Sequence, residues 1–492
     1  MNSRIRAGLI GGIFGLLISL VSGGQIAYLA GIIAGAIASQ LAAQEEDVAS
    51  VRAGIQLGLR AGLVAGALTA LGVFIRGFLI NPLVNVSADA SVVFMLGLGG
   101  LVMAGVAGVV FGAIRGLPSP QNRFGTLLAF GLLAVAYPFL DSLLNLRFMN
   151  EVIPVLIFIL MALGLNIVVG YAGLLDLGYA AFFAIGAYTT GMLASPHFGI
   201  SMPFWIVIWI AAAVAALFGI LLGAPTLPLR GDYLAIVTLG FGEIVPIAAN
   251  NLDNVTISIL GVTLLENFDL TGGPRGINPI NRPSLFGYAF EPSQPIPWYF
   301  LILGLIVFSI FFILRLRNSR LGRAWSAMRE DELAASAMGI NLVRTKLLAF
   351  AMGATFSGFA GAFYGSFISA ITPASFGFDV SVILLCMVIL GGLGNITGVI
   401  LGGLIIQFAD RLFLPQLGDV VQGLLQNSNI EVLKEINFKT DFRTMLFGLT
   451  LVIMMLVRPE GLVPNERRRR ELHADDEATA HERQTLYDAE QA

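Results

Sequence analysis

The sequence predicts an all-α protein, a polytopic bundle of transmembrane helices with an extra glycine- and alanine-rich helical bundle at its N-terminus. Three observations predict this class. Of the 492 residues, 57% are hydrophobic and only 12% are charged, whereas soluble domains carry about 25% charged residues. The mean hydropathy is +0.84. Unbroken apolar windows of about 20 residues, long enough to cross a bilayer as a helix, recur along the chain, which excludes the alternating pattern of a β-barrel.

The apolar windows define candidate spans along the whole chain. The first follows Arg4 and Arg6, as in a signal peptide, yet a second begins at Ile26 without a soluble segment between them, so we expect a retained helical hairpin. The predicted spans are residues 5–21, 26–43, 53–79, 92–114, 125–144, 151–170, 175–195, 203–223, 233–249, 298–315, 347–370, 379–393, 396–412 and 443–457.

The distribution of Lys and Arg predicts the orientation of the chain. With the N-terminus inside, alternate crossings place most of the 28 Lys and Arg residues on or near the cytoplasmic side, as the positive-inside rule requires. We therefore expect a multi-pass protein of the cell (inner) membrane with both termini in the cytoplasm. The basic residues left outside are Arg76, Arg147, Arg275, Arg282, Arg411, Lys434, Lys439 and Arg443.

Residues 1–116 have small residues at every fourth position, which lets helix backbones approach closely. We predict a four-helix membrane bundle here, which is either an accessory or oligomerising module or simply a set of tightly packed helices. Pro118, Ser119 and Pro120 mark its end. The rows are Gly11, Gly15, Ser19 and Gly23, then Ala27, Gly31, Gly35 and Ser39, then Gly54, Gly58, Gly62 and Gly66, then Gly100, Ala104, Gly108 and Gly112.

The rest of the chain divides into a core, residues 125–466, and a tail, residues 467–492. The core has larger side chains and long loops, and we expect the function there. The tail begins with the basic cluster Arg467–Arg470 and is expected on the cytoplasmic side, where such a cluster attracts anionic membrane lipid.

The internal loop, residues 315–346, is rich in basic residues and contains a short predicted helix from Asp331 to Met338. Acidic residues at the helix start suit its dipole, and Gly339 is placed to end it. Paired alanines keep one face narrow. A narrow, capped helix on a cytoplasmic loop suits insertion into a cleft of a moving partner, although an ordinary amphipathic loop helix has the same pattern.

This loop resembles the ATPase-coupling loop of ABC importer permeases, most closely those of the branched-chain amino acid type. The matching loop residues are Gly322, Arg323, Ala324 and Trp325, then Arg329, Glu330, Asp331 and Glu332, then Ala334 and Ala335, then Gly339 and Ile340. The similar segments elsewhere are GLNIVVGYAGLLDLGYAAFFAIGAY at 164–188, LRGDYLAIVTLGFGEI at 229–244, TGGPRGI at 271–277 and RPEGL at 458–462. The chain is identified as a member of this permease family over residues 125–466, with one departure, since Leu333 separates the glutamate from the paired alanines.

The resemblance implies alternating access driven by partner proteins. By it, this chain works with a second permease subunit and two ABC ATPase subunits, and a periplasmic or extracellular solute-binding protein delivers the solute. ATP is then bound by the ATPases, and no cofactor is expected on this chain, which lacks the G-x-x-x-x-G-K-[ST] loop. The external loops at 250–297 and 413–441 are expected either to dock the binding protein or to act as connectors. The solute is expected to be a branched-chain amino acid, with urea, short-chain amides or other amino acids as the alternative.

Polar residues inside the predicted spans are candidates for the translocation path, because such groups are unfavourable in lipid. The aspartates lie near span ends, where we expect interfacial solvation or helix capping. Asn166 and Glu243 have apolar neighbours on both sides and either line the path or form interhelical hydrogen bonds. The full set is Asn166, Asp176, Asp232, Glu243, Asp379, Asn395 and Asp410.

The glycine-rich segment Gly391, Gly392, Gly394 and Asn395 allows two interpretations. Either it breaks a helix and exposes backbone to the path, or it is a tight turn between two crossing helices. Both interpretations keep the predicted orientation of the remaining chain.

Other functional classes have little support in the sequence. The single cysteine, Cys386, forms no intrachain disulfide or thiolate cluster, and no metal site is expected. The only histidines are His197, His473 and His481, and the H-E-x-x-H and G-x-S-x-G motifs are absent, so we do not expect an enzyme. Nucleic-acid binding is not expected either. A scaffolding role is suggested only by the glycine rows and applies to residues 1–116.

Overall fold

The computed structural model describes residues 3–21, 26–45, 50–80, 89–115, 148–226, 232–259, 262–285, 287–291 and 293–415, with scattered residues of 131–142 and 445–456. The predicted spans 125–144 and 443–457 lie largely outside these residues, and the predicted boundary at 118–120 and the tail lie entirely outside them. The chain divides into two compact units, one formed from within residues 1–148 and 408–443 and the other from within 149–407 and 444–492.

The described helices of the first unit are α1 (Ser3–Val21), α2 (Ile26–Glu45), α3 (Val51–Ile75) and α4 (Ala90–Arg115). Ser50 caps α3 by accepting a hydrogen bond from the Ala53 backbone N–H. The small-residue rows face one another, and a Cβ built on Gly58 would overlap the Gly108 carbonyl oxygen. These helices therefore pack closely along the rows, which explains why the rows contain no side chain larger than serine.

The second unit consists mainly of helices that pack around one long helix, Leu342–Ile368. The helices are α5 (Met149–Leu165), α6 (Ala180–Ala194), α7 (Phe204–Thr226), α8 (Asp232–Asn251), α9 (Pro295–Arg317), α10 (Arg320–Glu330), α11 (Glu332–Ala337), α12 (Leu342–Ile368), α13 (Phe378–Gly391) and α14 (Ile396–Phe408). A π-helical turn, Asn166–Tyr171, extends α5. Helix α12 contacts α5, α6 and α7, and its Phe350, Phe356 and Phe363 are buried.

Within the described residues, 8 helices are long and apolar enough to cross a membrane. This agrees with the predicted polytopic helical bundle. Two short antiparallel hairpins add to it, both inside the loop predicted to be external. Strand β1 (Val255–Ile259) pairs with β2 (Val262–Phe268), and β3 (Ser284–Leu285) pairs with β4 (Tyr288–Ala289).

The hairpin-bearing loop is fixed to the helices beneath it. Ile277 forms an isolated bridge with Ile371, and the Asn281 N–H donates to the Ala194 carbonyl at 2.9 Å. The Thr271 hydroxyl donates to the Ala249 carbonyl at 2.7 Å. These contacts give the segment a defined structure. The second predicted external loop, 413–441, lies almost wholly outside the described residues.

Helix α6 is too short to cross a bilayer alone, which corrects the predicted span at 175–195. It has 15 residues, and at 1.5 Å per residue it is about 20 Å long, against about 30 Å of hydrocarbon. The prediction failed because residues 172–179, which are apolar enough to continue a helix, form no regular structure. The predicted span at 379–393 corresponds to one of the 8 candidate spans, Pro373–Gly391, in which a short 3-10 turn precedes α13. Helix α14 is followed directly by a π-helical turn, Ala409–Phe413.

Candidate functional site

Helix α10 is the first helix of the internal loop, residues 315–346, and it folds back against the start of α12. Ser319 caps α10 by accepting from the Gly322 N–H. Trp325 is 0% exposed, and its indole N–H donates to the Thr345 carbonyl at 2.8 Å. A Cβ on Gly322 would overlap the carbonyl oxygens at the end of α9. The loop is therefore an ordered structure attached to two long helices.

The predicted helix Asp331–Met338 is present as α11, Glu332–Ala337. Asp331 caps it, with Oδ1 accepting from the Leu333 and Ala334 N–H groups at 2.7 and 3.0 Å. Gly339 ends it with φ +84°, a left-handed conformation that suits glycine, and the Ile340 N–H donates to the Ala335 carbonyl. Glu330 does not start α11 as predicted, since it is the last residue of α10.

The two alanines of α11 face opposite ways. Ala335 is 4% exposed, whereas Ala334 is exposed. The outer side of the helix also carries Leu333 at 67% and Met338 at 84% exposure. The two alanines therefore do not form one narrow face as predicted: Ala335 packs into the protein, and Ala334 belongs to an apolar outer surface. We call Leu333, Ala334 and Met338 the α11 apolar surface.

Glu332 pairs with Lys346 within this chain, Oε1 lying 2.7 Å from Nζ. The two side chains are 23% and 7% exposed, so the lysine is nearly buried. A buried ammonium group needs its counterion, because removing one partner leaves a charge without compensation. Glu332 therefore holds α11 against the start of α12.

A double-mutant cycle tests this pair. Glu332→Ala is expected to destabilise the detergent-solubilised protein by about 2–3 kcal/mol, somewhat below the range for fully buried pairs because Glu332 is partly exposed. Adding Lys346→Met should recover part of the loss, because the uncompensated charge is then removed. Thermal unfolding of the single and double variants measures both effects. Equal destabilisation by the single and double variants would contradict the assignment.

Arg329, in the last turn of α10, connects the loop to a membrane helix. Its Nη1 donates to the Gly170 carbonyl at 2.6 Å, and its aliphatic part lies against Gly173. The other guanidinium of the loop motif, on Arg323, donates to the Asn318 carbonyl of its own loop at 3.1 Å. The loop thus reaches the end of the π-helical turn through Arg329. The sequence named Arg329 but gave no sign of Gly170 as its partner.

The same turn contacts the glycine-rich break between α13 and α14. Asn166 Oδ1 accepts from the Gly394 N–H at 2.9 Å, which realises the interhelical hydrogen bond considered for this residue. Gly392 and Gly394 have φ values of 113° and 80°, conformations open to glycine. Asn395 caps α14, with Oδ1 accepting from the Thr397 N–H at 3.1 Å.

Gly391 lies where α13 and α14 approach each other closely, and a Cβ there would overlap the Gly398 carbonyl. The break is therefore a tight turn between two helices, which was one of the two interpretations of this segment.

Asp176 lies in the irregular segment before α6 and is 1% exposed. Interfacial solvation is therefore wrong for this residue. Its Oδ1 accepts from the Gly178 N–H at 2.9 Å, while the neighbouring Leu177 N–H donates to Thr238 Oγ1 at 3.1 Å. Asp410 is likewise buried, at 4% exposure. Asp379 is exposed in the first turn of α13, where a carboxylate suits the helix dipole.

Glu243 occupies a different environment, on the exposed side of α8 near the middle of the helix. The structure does not bring it into contact with Asn166 or with the glycine-rich break. The predicted path residues therefore separate into a buried group around the π-helical turn and one exposed carboxylate. Among the described residues no group of three or more His, Cys, Asp or Glu side chains is arranged to hold a metal ion.

The fold and the ordered loop describe a multi-pass helical membrane protein, and comparison with known proteins shows that it is a transport permease. Residues 149–455 match the family model described as "Branched-chain amino acid transport system / permease component". The chain belongs to this family.

The curated relatives carry names from the same family. The permease protein LivM of the high-affinity branched-chain amino acid transport system of Escherichia coli (strain K12) is 38% identical over 72% of this chain and 78% of its own length. A probable LivM of Methanocaldococcus jannaschii is 26% identical over 63% of this chain and 91% of its own. The LivH permease of Salmonella typhimurium is 26% identical over 62% and 91%. No solved structure matches the chain significantly.

Proposed function

We propose that this chain is a transmembrane permease subunit of an ABC importer in the cell (inner) membrane, that it imports branched-chain amino acids, and that both its termini are cytoplasmic. The relatives' names support the solute class. Two permease relatives, LivM and LivH, come from one organism, which supports pairing with a second, related permease subunit. Two ABC ATPase subunits bind and hydrolyse the ATP, and a solute-binding protein supplies the solute from outside.

The observation that carries the proposal is the α11 apolar surface. Leu333 is 67% exposed and Met338 is 84% exposed, and α11 lies outside the candidate membrane spans. An apolar patch on a water-facing surface is typical of a contact with another protein. The basic residues of the loop support a cytoplasmic position for this surface under the positive-inside rule. An ATPase subunit is the partner that an importer has there.

Charging this surface is expected to release the ATPases. The double variant Leu333→Asp/Met338→Asp should reduce co-purification of the ATPase subunits by roughly tenfold, because two carboxylates would be desolvated in the contact. Val343→Asp is the matched control, since Val343 is 48% exposed at the start of α12, outside α10 and α11. Retained ATPase binding in the double variant would contradict the role of α11.

The solute class is tested by uptake of labelled leucine, with urea as the comparison, in proteoliposomes that contain the whole complex, its binding protein and internal ATP. Leucine uptake that depends on ATP supports the proposal. Urea uptake without leucine uptake would move the chain to the amide branch of the family. Absence of ATP-dependent uptake of either solute would refute the importer assignment.

A further inference from the structure

One side of α8 packs against the rest of the second unit, and these contacts determine which side of the helix faces outward. Leu234, Ala235 and Thr238 are buried, and the Thr238 hydroxyl accepts from the Leu177 N–H at 3.1 Å. Gly178 lies directly against the backbone of α8, because a Cβ on Gly178 would overlap the Thr238 carbonyl and approach the Gly242 N. The opposite side of α8 therefore faces away from the described chain.

That outward side, which we call the α8 face, carries a carboxylate among apolar residues. Its members recur at helical spacing and are exposed: Tyr233, Ile236, Val237, Gly240, Glu243, Ile244 and Ile247. Helix α8 has 20 residues, which at 1.5 Å each is about the thickness of the hydrocarbon layer. Glu243 lies just beyond the middle of this length, far from either headgroup region.

The outer faces of the neighbouring helices provide a contrast. Helix α7 exposes Trp209 and Leu221, and α9 exposes Val307 and Phe311, and no acidic or basic residue lies near the middle of either helix. Uncharged apolar faces of this kind suit contact with lipid. An ionised carboxylate in the middle of a span is unfavourable against acyl chains and instead faces protein or a water-filled path. The α8 face is therefore not a lipid-facing surface.

Gly240, one turn before Glu243, indicates how the α8 face is covered. A Cβ built on it meets nothing within 4 Å, so the described chain does not require glycine there. A small residue on an outward helix face permits another membrane helix to approach closely. The apolar residues around it supply packing surface, and Glu243 supplies a charge that such packing alone does not need.

We propose that the α8 face is this chain's wall of the translocation path, opposed by the second permease subunit, and that Glu243 binds the ammonium group of the amino acid in transit. This rests on the proposed function and narrows its substrate class. A carboxylate complements the cationic end of a zwitterionic amino acid, whereas urea is neutral and gains no ion pair there. The ion pair with the passing ammonium group compensates a charge that the described chain leaves without a counterion on this face.

The charge is tested by Glu243→Gln in the complete importer with its binding protein and internal ATP. Leucine uptake is expected to fall by roughly tenfold or more, because glutamine keeps the size and loses the charge. Glu243→Asp should retain a larger part of the uptake. Asp89→Asn is the matched control, since Asp89 is an exposed carboxylate directly before α4 in the first unit and its loss should change uptake by less than about twofold.

The partner is tested by Gly240→Leu, which should prevent co-purification of the second permease subunit. Gly304→Leu is its control, because Gly304 on α9 also has open space around its Cβ and faces lipid. Normal leucine uptake by Glu243→Gln in a complex whose wild type transports leucine would overturn this inference alone. Failure of the wild type to transport leucine would overturn it together with the proposed function. Equal subunit recovery from both leucine variants would overturn the assigned partner.

Discussion

Replacing Arg329 with alanine is expected to lower ATP-dependent solute uptake by roughly tenfold or more, since a hydrogen bond from a charged donor contributes about 1.5–3 kcal/mol. The guanidinium donates to the Gly170 carbonyl at 2.6 Å, which is a contact between the α10–α11 loop and the end of the π-helical turn. Asn166, in the same turn, accepts from the Gly394 N–H. The contact thus joins the proposed ATPase-binding loop to the break between α13 and α14.

The measurement that separates coupling from assembly records uptake and ATP hydrolysis in the same proteoliposomes. The expected result for Arg329→Ala is ATPase subunits still bound and still hydrolysing, with little uptake. Arg323→Ala is the matched control, because that guanidinium donates to the Asn318 carbonyl of its own loop and, among the described residues, makes no bond to the π-helical turn. If Arg329→Ala lost hydrolysis, uptake and ATPase binding together, Arg329 would be a structural residue of the loop and would not transmit movement.

Gly178→Val is expected to abolish folding of the second unit. A Cβ at this position would overlap the Thr238 carbonyl and come within 3.0 Å of the Gly242 N. Both are backbone atoms of α8, so relief requires the whole helix to move away from the segment before α6. Overpacking of this kind is expected to exceed about 4 kcal/mol, because it also breaks the adjacent hydrogen bonds.

The amount of monodisperse protein recovered from membranes in mild detergent measures this effect. Recovery of Gly178→Val should fall by about tenfold or more relative to wild type. Gly304→Val is the control at an open position in α9 and should be recovered normally. Normal recovery of Gly178→Val would show that α8 does not pack against Gly178 in the membrane.

The helical membrane class was predictable because hydropathy and small-residue spacing are local properties of the chain. Each small-residue row lies within one helix, so close packing was predictable, whereas the pairing of Gly58 with Gly108 is seen only in the structure. The helix in the internal loop was predictable for the same reason. Its cap at Asp331 and its stop at Gly339 depend on residues within one or two turns.

The short length of α6 was not predictable, because its start depends on groups distant in the sequence. The segment before α6 is as apolar as a span, yet the Ala180 N–H donates to Ser381 Oγ at 3.0 Å and Leu177 is held by Thr238. These bonds replace the helical ones that the segment gives up. The glycines and Asp176 are the local signal of the break, and the sequence interpretation assigned that aspartate to interfacial solvation or helix capping near a span end.

The sequence by itself determined that this chain is a helical membrane protein with a capped helix in a basic loop and a family signature, since these depend on composition, periodicity and short motifs. Only the tertiary structure decided which side of each helix is inside. It turned Ala335 inward and Met338 outward, buried Asp176 and left Glu243 exposed. The physical reason is that burial is set by the packing partner, which the periodicity of one helix does not specify.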